Sequence, residues 1–295
     1  MTLPRPALPR LLVAVTAVVA LLFLPVAPDA LAGDTETYVA MGDSYTAGPG
    51  IPHPVPYPLG CWRSDRNYPH LVGQSRGSLL RDVSCSGATT TDLVAPQPVL
   101  GGPNPPQLDA LDAEVGVVSL QIGGNDIGFA EIIQRCTAVV PLGTPCQRFY
   151  TRGGIDEISR RITETGPKVG AVLAQAQRRS PEARLFVLGY PSILPDTGLG
   201  CWPVMPIAPG DVPYLREKHK ELNAMLATQA EAAGATYVDL YGPSVGHDAC
   251  QLPRTRWVEP LVPLSPAAAY HPNALGMRRT ADILVGALAR EGLAR

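Results

Sequence analysis

A serine follows a short apolar run near the start of the chain, in Met41-Gly42-Asp43-Ser44-Tyr45-Thr46-Ala47-Gly48. A serine hydroxyl is a weak nucleophile until a base takes its proton, so chemistry at Ser44 requires a histidine from elsewhere. Tyr270-His271-Pro272-Asn273 offers one, just ahead of a helix-like segment. Between the two lie Cys85-Ser86-Gly87-Ala88-Thr89 and Gly123-Gly124-Asn125-Asp126. Acyl transfer places negative charge on an oxygen, and a glycine N–H and an asparagine amide are suitable preorganised donors for it. Taken singly, each motif also reads as an ordinary polar turn or a surface histidine. Their common position, each at or beyond the end of a strand-like run, makes one site of them.

The strand-like runs are Thr37 to Met41, Leu79 to Ser84, Val115 to Ile122, Arg184 to Leu188 and Thr236 to Leu240. They are short, rich in Val, Ile, Leu or Tyr, and continuous rather than alternating, as strands covered on both faces are. Helical patterns alternate with them: Tyr68 to Gln74, Ile155 to Thr165, a separate helix Pro167 to Arg179 with proline at its start, Val212 to Ala233, and Asn273 to Leu288. Such alternation predicts an α/β fold with a five-stranded parallel sheet between helices. Right-handed crossovers then place a site beyond the carboxyl ends of the strands. Long proline-rich stretches intervene at Pro49 to Pro58, Pro96 to Pro106, Pro191 to Pro213 and Pro253 to Pro266. Loops of that length in a compact domain usually form walls or lids of a site.

A rival nucleophile is Ser244, because Gly242-Pro243-Ser244-Val245-Gly246 has the GxSxG form with Asp248 and His271 following. That elbow needs a strand, a turn and a helix, whereas here a proline-rich loop follows. His53, His70, His219 and His247 read as structural or surface residues. Trp62, Trp202 and Trp257 fall in or beside the proline-rich loops, where they line an acyl pocket or pack beneath the loops.

The 295-residue chain is 45% apolar, enough for a full core, and one domain over residues 33–295 is expected. Residues 1–32 read as a signal peptide: Arg5 and Arg10 precede an uncharged run from Leu11 to Val26, then Ala30-Leu31-Ala32 offers a small-x-small cleavage site. The run is shorter than the roughly 20 residues of a spanning helix, so a secreted, extracellular protein with no permanent membrane anchor is expected. The formal charge is −2 and lacks a basic run, which excludes nucleic acid as a partner. The six cysteines, Cys61, Cys85, Cys136, Cys146, Cys201 and Cys250, form no CxxC and no zinc spacing. An even number in an exported chain favours disulfides over metal. Their pairing is open on this basis, with sequential neighbours the simplest arrangement.

GDSY with its following glycine at Ser44, Gly87, GGND at 123–126 and HP at His271 match, in order, the blocks of the SGNH (GDSL) hydrolase family. The chain most resembles the family's secreted, disulfide-rich bacterial lipase/esterase branch, over essentially all of 33–295. The resemblance implies a three-layer α/β/α sandwich of flavodoxin-like form, with Ser44 as nucleophile and His271 as base. It implies an oxyanion hole from the Ser44 N–H, the Gly87 N–H and the Asn125 side chain. It further implies three sequential disulfides, Cys61–Cys85, Cys136–Cys146 and Cys201–Cys250. The family usually has an aspartate three residues before the histidine, but Ala268 stands there. The second ring nitrogen still needs an acceptor, and a backbone carbonyl within Ala267 to Ala269 is expected to provide it.

The expectation is therefore a secreted serine esterase or lipase that cleaves acyl esters through an acyl-enzyme, with no cofactor and no metal. Its partner would be an ester or lipid substrate, and a monomer is expected. Phospholipase A and carbohydrate O-deacetylase activity are rival readings on the same fold. A non-catalytic exported lipid- or glycan-binding protein is a reading from another class.

Overall fold

Strand β1 (Thr37–Gly42) shows how this sequence builds a layered core. Successive side chains in a strand point to opposite faces. Val39 and Met41 accordingly join one buried cluster, and Tyr38 and Ala40 another. The remaining strands are β2 (Leu79–Asp82), a half-buried edge strand, β3 (Val115–Gln121), β4 (Arg184–Leu188) and β5 (Thr236–Val238). The same division holds along β4, with Leu185 and Val187 on one face and Phe186 and Leu188 on the other. The computed structural model describes residues 1–3 and 36–293, and residues 36–293 belong to one compact unit. Beyond its first three residues, the expected signal peptide lies outside the described residues.

All five strands pair in parallel, in the order β2-β1-β3-β4-β5. Parallel neighbours require crossovers, and those crossovers supply the helices. The helices are α1 (Ser44–Ala47), α2 (Tyr68–Arg76), α3 (Phe129–Cys136), α4 (Pro145–Thr151), α5 (Glu157–Arg179), α6 (Val212–Ala232) and α7 (Ala274–Arg290). Val169 and Leu173 of α5, with Leu222 and Leu226 of α6, pack on the Val39/Met41 face. Tyr68 and Val72 of α2, with Met277, Leu284 and Leu288 of α7, cover the other. The result is an α/β/α sandwich.

The sequence suggests two helices meeting at Pro167, but α5 runs through it unbroken. Proline there removes one hydrogen bond to the carbonyl four residues back. Both Pro167 and Thr163 lie on the exposed side of α5, so water can satisfy the freed carbonyl. The buried side, with Ile158, Ile162, Thr165 and Val169, stays continuous and fixes the helix against the sheet. Helices α3 and α4, absent from the sequence reading, lie in the long β3–α5 connection. The Cys136–Cys146 disulfide joins them. The other bonds are Cys61–Cys85 and Cys201–Cys250, which tie proline-rich loops to the frame.

Candidate active site

Ser44 begins α1 directly after β1, at the carboxyl edge of the sheet. Asp43 caps that turn, its Oδ1 accepting the Tyr45 N–H at 2.8 Å. The turn is sharp at Gly42, where φ is +153° and a Cβ would lie 2.3 Å from Thr46 Oγ1 and 2.6 Å from the Gln121 carbonyl oxygen. A side chain at residue 42 would therefore displace the serine turn.

His271 arrives from the opposite end of the chain, just before α7. Asn273 caps α7 by accepting the N–H groups of Leu275 and Gly276, which fixes the segment leading back to the histidine. The ring bridges two groups: Nε2 lies 2.7 Å from Ser44 Oγ, and Nδ1 lies 2.7 Å from the Ala269 carbonyl oxygen. A carbonyl only accepts, so Nδ1 carries the proton and Nε2 presents its lone pair to the serine hydroxyl. The acceptor falls within the segment expected from the sequence. Burial holds the His271 pKa below its ordinary value, and the Ala269 hydrogen bond opposes that shift.

The turn carrying the Ala269 carbonyl is fixed by its surroundings. Tyr270 adopts φ +62°, a left-handed conformation that a bulky residue takes only when its neighbours impose it. Tyr45 Oη donates to the Tyr270 carbonyl at 2.6 Å, and the Tyr270 N–H donates to the Glu259 carbonyl at 2.9 Å. The Ala268 N–H donates to the Pro49 carbonyl at 2.8 Å. Beneath it, the fully buried Glu259 carboxylate accepts from Arg256, Asn273 and the Leu264 N–H. Burial raises the Glu259 pKa, but these donors outweigh it and hold the carboxyl below its ordinary value.

Gly87 and Asn125 share a groove with Ser44 and His271. Gly87 adopts φ +80°, which suits glycine, and follows β2. Among the described residues, neither the Ser44 N–H nor the Gly87 N–H donates to a protein acceptor. Asn125 uses one amide hydrogen on the Ala88 carbonyl at 2.9 Å, which orients its side chain.

Tyr190, which the sequence reading passed over, ties this edge together. Its hydroxyl donates to Asp43 Oδ2 at 2.5 Å and accepts the Gly124 N–H at 2.9 Å, so one side chain joins the serine turn to the asparagine turn. Burial pushes the Asp43 carboxyl up to about 7, against the hydrogen bonds from Tyr190 and Tyr45. The signal lay in plain view: Gly189-Tyr190 follows β4 as Asp43-Ser44 follows β1.

A second, mainly apolar cavity opens from Ser44 and Asn125 into the space between α3, α5 and α6. Phe129, Ile158, Ile193, Met205, Ile207 and Leu222 are among its walls. His219 also lines it. The sequence places that residue on a charged surface, yet its ring is enclosed, with Nε2 3.2 Å from the Tyr190 carbonyl, and burial lowers its pKa to about 4. Ser244 is fully buried and committed, donating to the Tyr241 carbonyl and accepting the Ser192 N–H. Of the tryptophans, Trp62 lines the groove, Trp202 donates to the Ala138 carbonyl, and Trp257 stacks on His247.

A serine hydroxyl paired to a histidine, beside free N–H donors and an apolar cavity on an α/β/α frame, is the arrangement of a serine ester hydrolase. Residues 40–279 match the GDSL-like lipase/acylhydrolase family. Lipase 2 of Streptomyces coelicolor is 42% identical over 293 residues, covering 95% of this chain and 97% of that protein. An esterase of Streptomyces scabiei is 29% identical over 249 residues, 72% of each chain. Among solved structures, the extracellular lipase of Streptomyces rimosus superposes with a TM-score of 0.72 at 26% identity, over 85% of this chain and 99% of that one. Phospholipase A1 of Streptomyces albidoflavus gives 0.72 at 25% identity, over 85% and 98%. The chain belongs to the GDSL-like lipase/acylhydrolase family, and it is a carboxylic ester hydrolase. No helix among the described residues is long and apolar enough to cross a membrane.

Proposed function

We propose that this protein is an exported, monomeric hydrolase of acyl esters in which Ser44 attacks the ester carbonyl while His271 takes its proton at Nε2. The observation that carries this reading is the pair of 2.7 Å contacts of the His271 ring, to Ser44 Oγ and to the Ala269 carbonyl. The tetrahedral oxygen would be held by the free N–H groups of Ser44 and Gly87 and by the remaining amide hydrogen of Asn125. His271 then returns its proton to the leaving alcohol, and water repeats the cycle on the Ser44 ester. The apolar cavity would receive the acyl chain and the open groove the alcohol. The apolar lining of that cavity suits an acyl chain better than an acetyl group on a sugar, which supports a lipase or esterase over a carbohydrate deacetylase. The six disulfide-bonded cysteines and the leader-like first 32 residues support export.

Hydrolysis of p-nitrophenyl esters from acetyl to palmitoyl, with Ser44→Ala alongside, tests the reading. Activity on medium or long chains that falls by about 10³-fold or more in Ser44→Ala is expected. A preference for acetyl would move the assignment to a deacetylase, and activity surviving in Ser44→Ala would remove the proposed nucleophile.

A further inference from the structure

Four loops border or adjoin the groove, and none carries an exposed charge. Residues 46–62, 93–108, 137–147 and 260–273 contain no Asp, Glu, Lys or Arg. The first, third and fourth line the groove directly, through Trp62, Thr137 and Leu261. The second is joined to the first where the Gly60 N–H donates to the Leu100 carbonyl at 2.8 Å.

These loops point large apolar side chains into solvent. Val139 is 89% exposed, Leu142 73%, Val262 69% and Leu264 71%, with Trp62 and Leu261 also exposed at the groove. The display is held in place. Cys136–Cys146 closes the loop bearing Val139 and Leu142, and the Ala138 N–H donates to the Pro206 carbonyl at 2.7 Å. Glu259 holds the other loop through the N–H groups of Leu264 and Ser265. Exposed apolar groups on loops that share one groove mark a surface that leaves water for a partner.

We propose that this rim docks on the uncharged surface of a lipid aggregate, so that the groove opens against the layer that holds the ester. The inference rests on the ester-hydrolase reading of the groove. Trp62 and Leu261 line the groove that holds Ser44, and Val139 and Val262 follow groove-lining Thr137 and Leu261 within two residues. A protein partner or a second copy of the chain seated there would cover the serine, whereas a lipid layer delivers substrate to it. The absence of lysine and arginine from these loops fits a neutral or zwitterionic surface. An anionic membrane would call for a basic patch.

The test is flotation of the disulfide-intact protein carrying Ser44→Ala with phosphatidylcholine vesicles, which separates binding from turnover. Binding that persists when salt is raised to about 0.5 M is expected, because apolar insertion is not screened. Adding Val139→Asp and Leu264→Asp should weaken it at least about tenfold, since each removes an inserted apolar group and adds a charge. The same pair in the protein with Ser44 intact should leave hydrolysis of soluble p-nitrophenyl butyrate unchanged, showing that the variants fold. Failure to float, or flotation only with anionic vesicles and only at low salt, would overturn the proposal. So would light scattering that showed a dimer dissociated by the two aspartates, because a second copy would then be the occupant. Loss of ester hydrolysis in Ser44→Ala is a separate result and tests the catalytic reading alone.

Discussion

Replacing Tyr190 by phenylalanine removes one hydroxyl and two hydrogen bonds, and the consequences differ with pH. The Gly124 N–H loses its buried acceptor, which costs about 1–3 kcal/mol. Asp43 loses its donor, and the size of that loss depends on its charge. At about pH 5 the carboxyl is largely protonated, given a pKa near 7, and a neutral hydrogen bond is worth about 0.5–1.5 kcal/mol. At about pH 8.5 it is ionised, and the bond to the charged form is worth about 1.5–3 kcal/mol. Tyr190→Phe should therefore destabilise by about 2–4 kcal/mol in acid and by about 1 kcal/mol more in mild alkali. In a domain of this size the acid value corresponds to a drop in Tm of about 4–16 °C. The turnover number should fall about tenfold or more, because the Asn125 turn is no longer pinned to the serine turn. Urea unfolding at the two pH values, with p-nitrophenyl ester kinetics beside it, measures both effects. A destabilisation under about 0.5 kcal/mol, or one equal at the two pH values, would refute the account of Tyr190 as a bridge to a titrating Asp43.

The base form of His271 is the neutral one and its pKa is depressed by burial, so the acid limb of kcat/KM should have its midpoint below the ordinary histidine value of about 6.5. A midpoint at or above that value in a pH–rate profile would contradict the placement of the ring. For Asp43 the folded pKa lies above the unfolded one, so its contribution to stability is present at low pH and is lost as pH rises through about 7. Asp43→Asn cannot ionise, and its stability relative to the natural protein should improve by at least about 1 kcal/mol between about pH 5 and 8.5 in urea titrations. A flat difference would show that Asp43 does not titrate in this window. Gly50→Ala would place a Cβ 2.6 Å from the Ala267 carbonyl carbon and 2.7 Å from the Ala268 nitrogen, at φ +80°. The displaced turn carries the Ala269 carbonyl, so kcat should fall by about 10²-fold, and unchanged kinetics would show that the turn yields without cost.

Much of the frame is legible in the sequence because central parallel strands write themselves as largely apolar runs, and each of the five runs holds a strand, including the half-buried edge strand β2 with its Arg81 and Asp82. The residues just beyond those runs supply the groove, since the carboxyl edge of such a sheet is where loops converge. Other features depend on partners that sequence spacing does not reveal. Pro167 reads as a boundary, yet tertiary packing on the opposite face of α5 carries the helix across it. Helix α3 begins after Gly128 with only the short stretch Phe129–Cys136, and α4 is shorter still, so neither has the length for a clear period. His219 sits among Glu217, Lys218 and Lys220, and only the fold turns its ring inward. Tyr190 looks like any tyrosine after a strand until Asp43 and Gly124 are brought to it from two other strand ends.

The acceptor that orients His271 belongs to the main chain, so no codon change can delete it. Where a carboxylate does this task, one substitution abolishes it; here residue 268 or 269 can vary in side chain while the carbonyl remains. The vulnerability moves instead to positions that shape the turn, Gly50, Tyr45 and Glu259, which touch neither Ser44 Oγ nor the ring nitrogens. Inactivating mutations in a random screen should accumulate at those supporting positions, and a search for a third catalytic side chain by mutating acidic residues one at a time would score Glu259, through the collapse of the loop it holds, and Asp43, through the serine turn it caps, without finding a carboxylate on the ring.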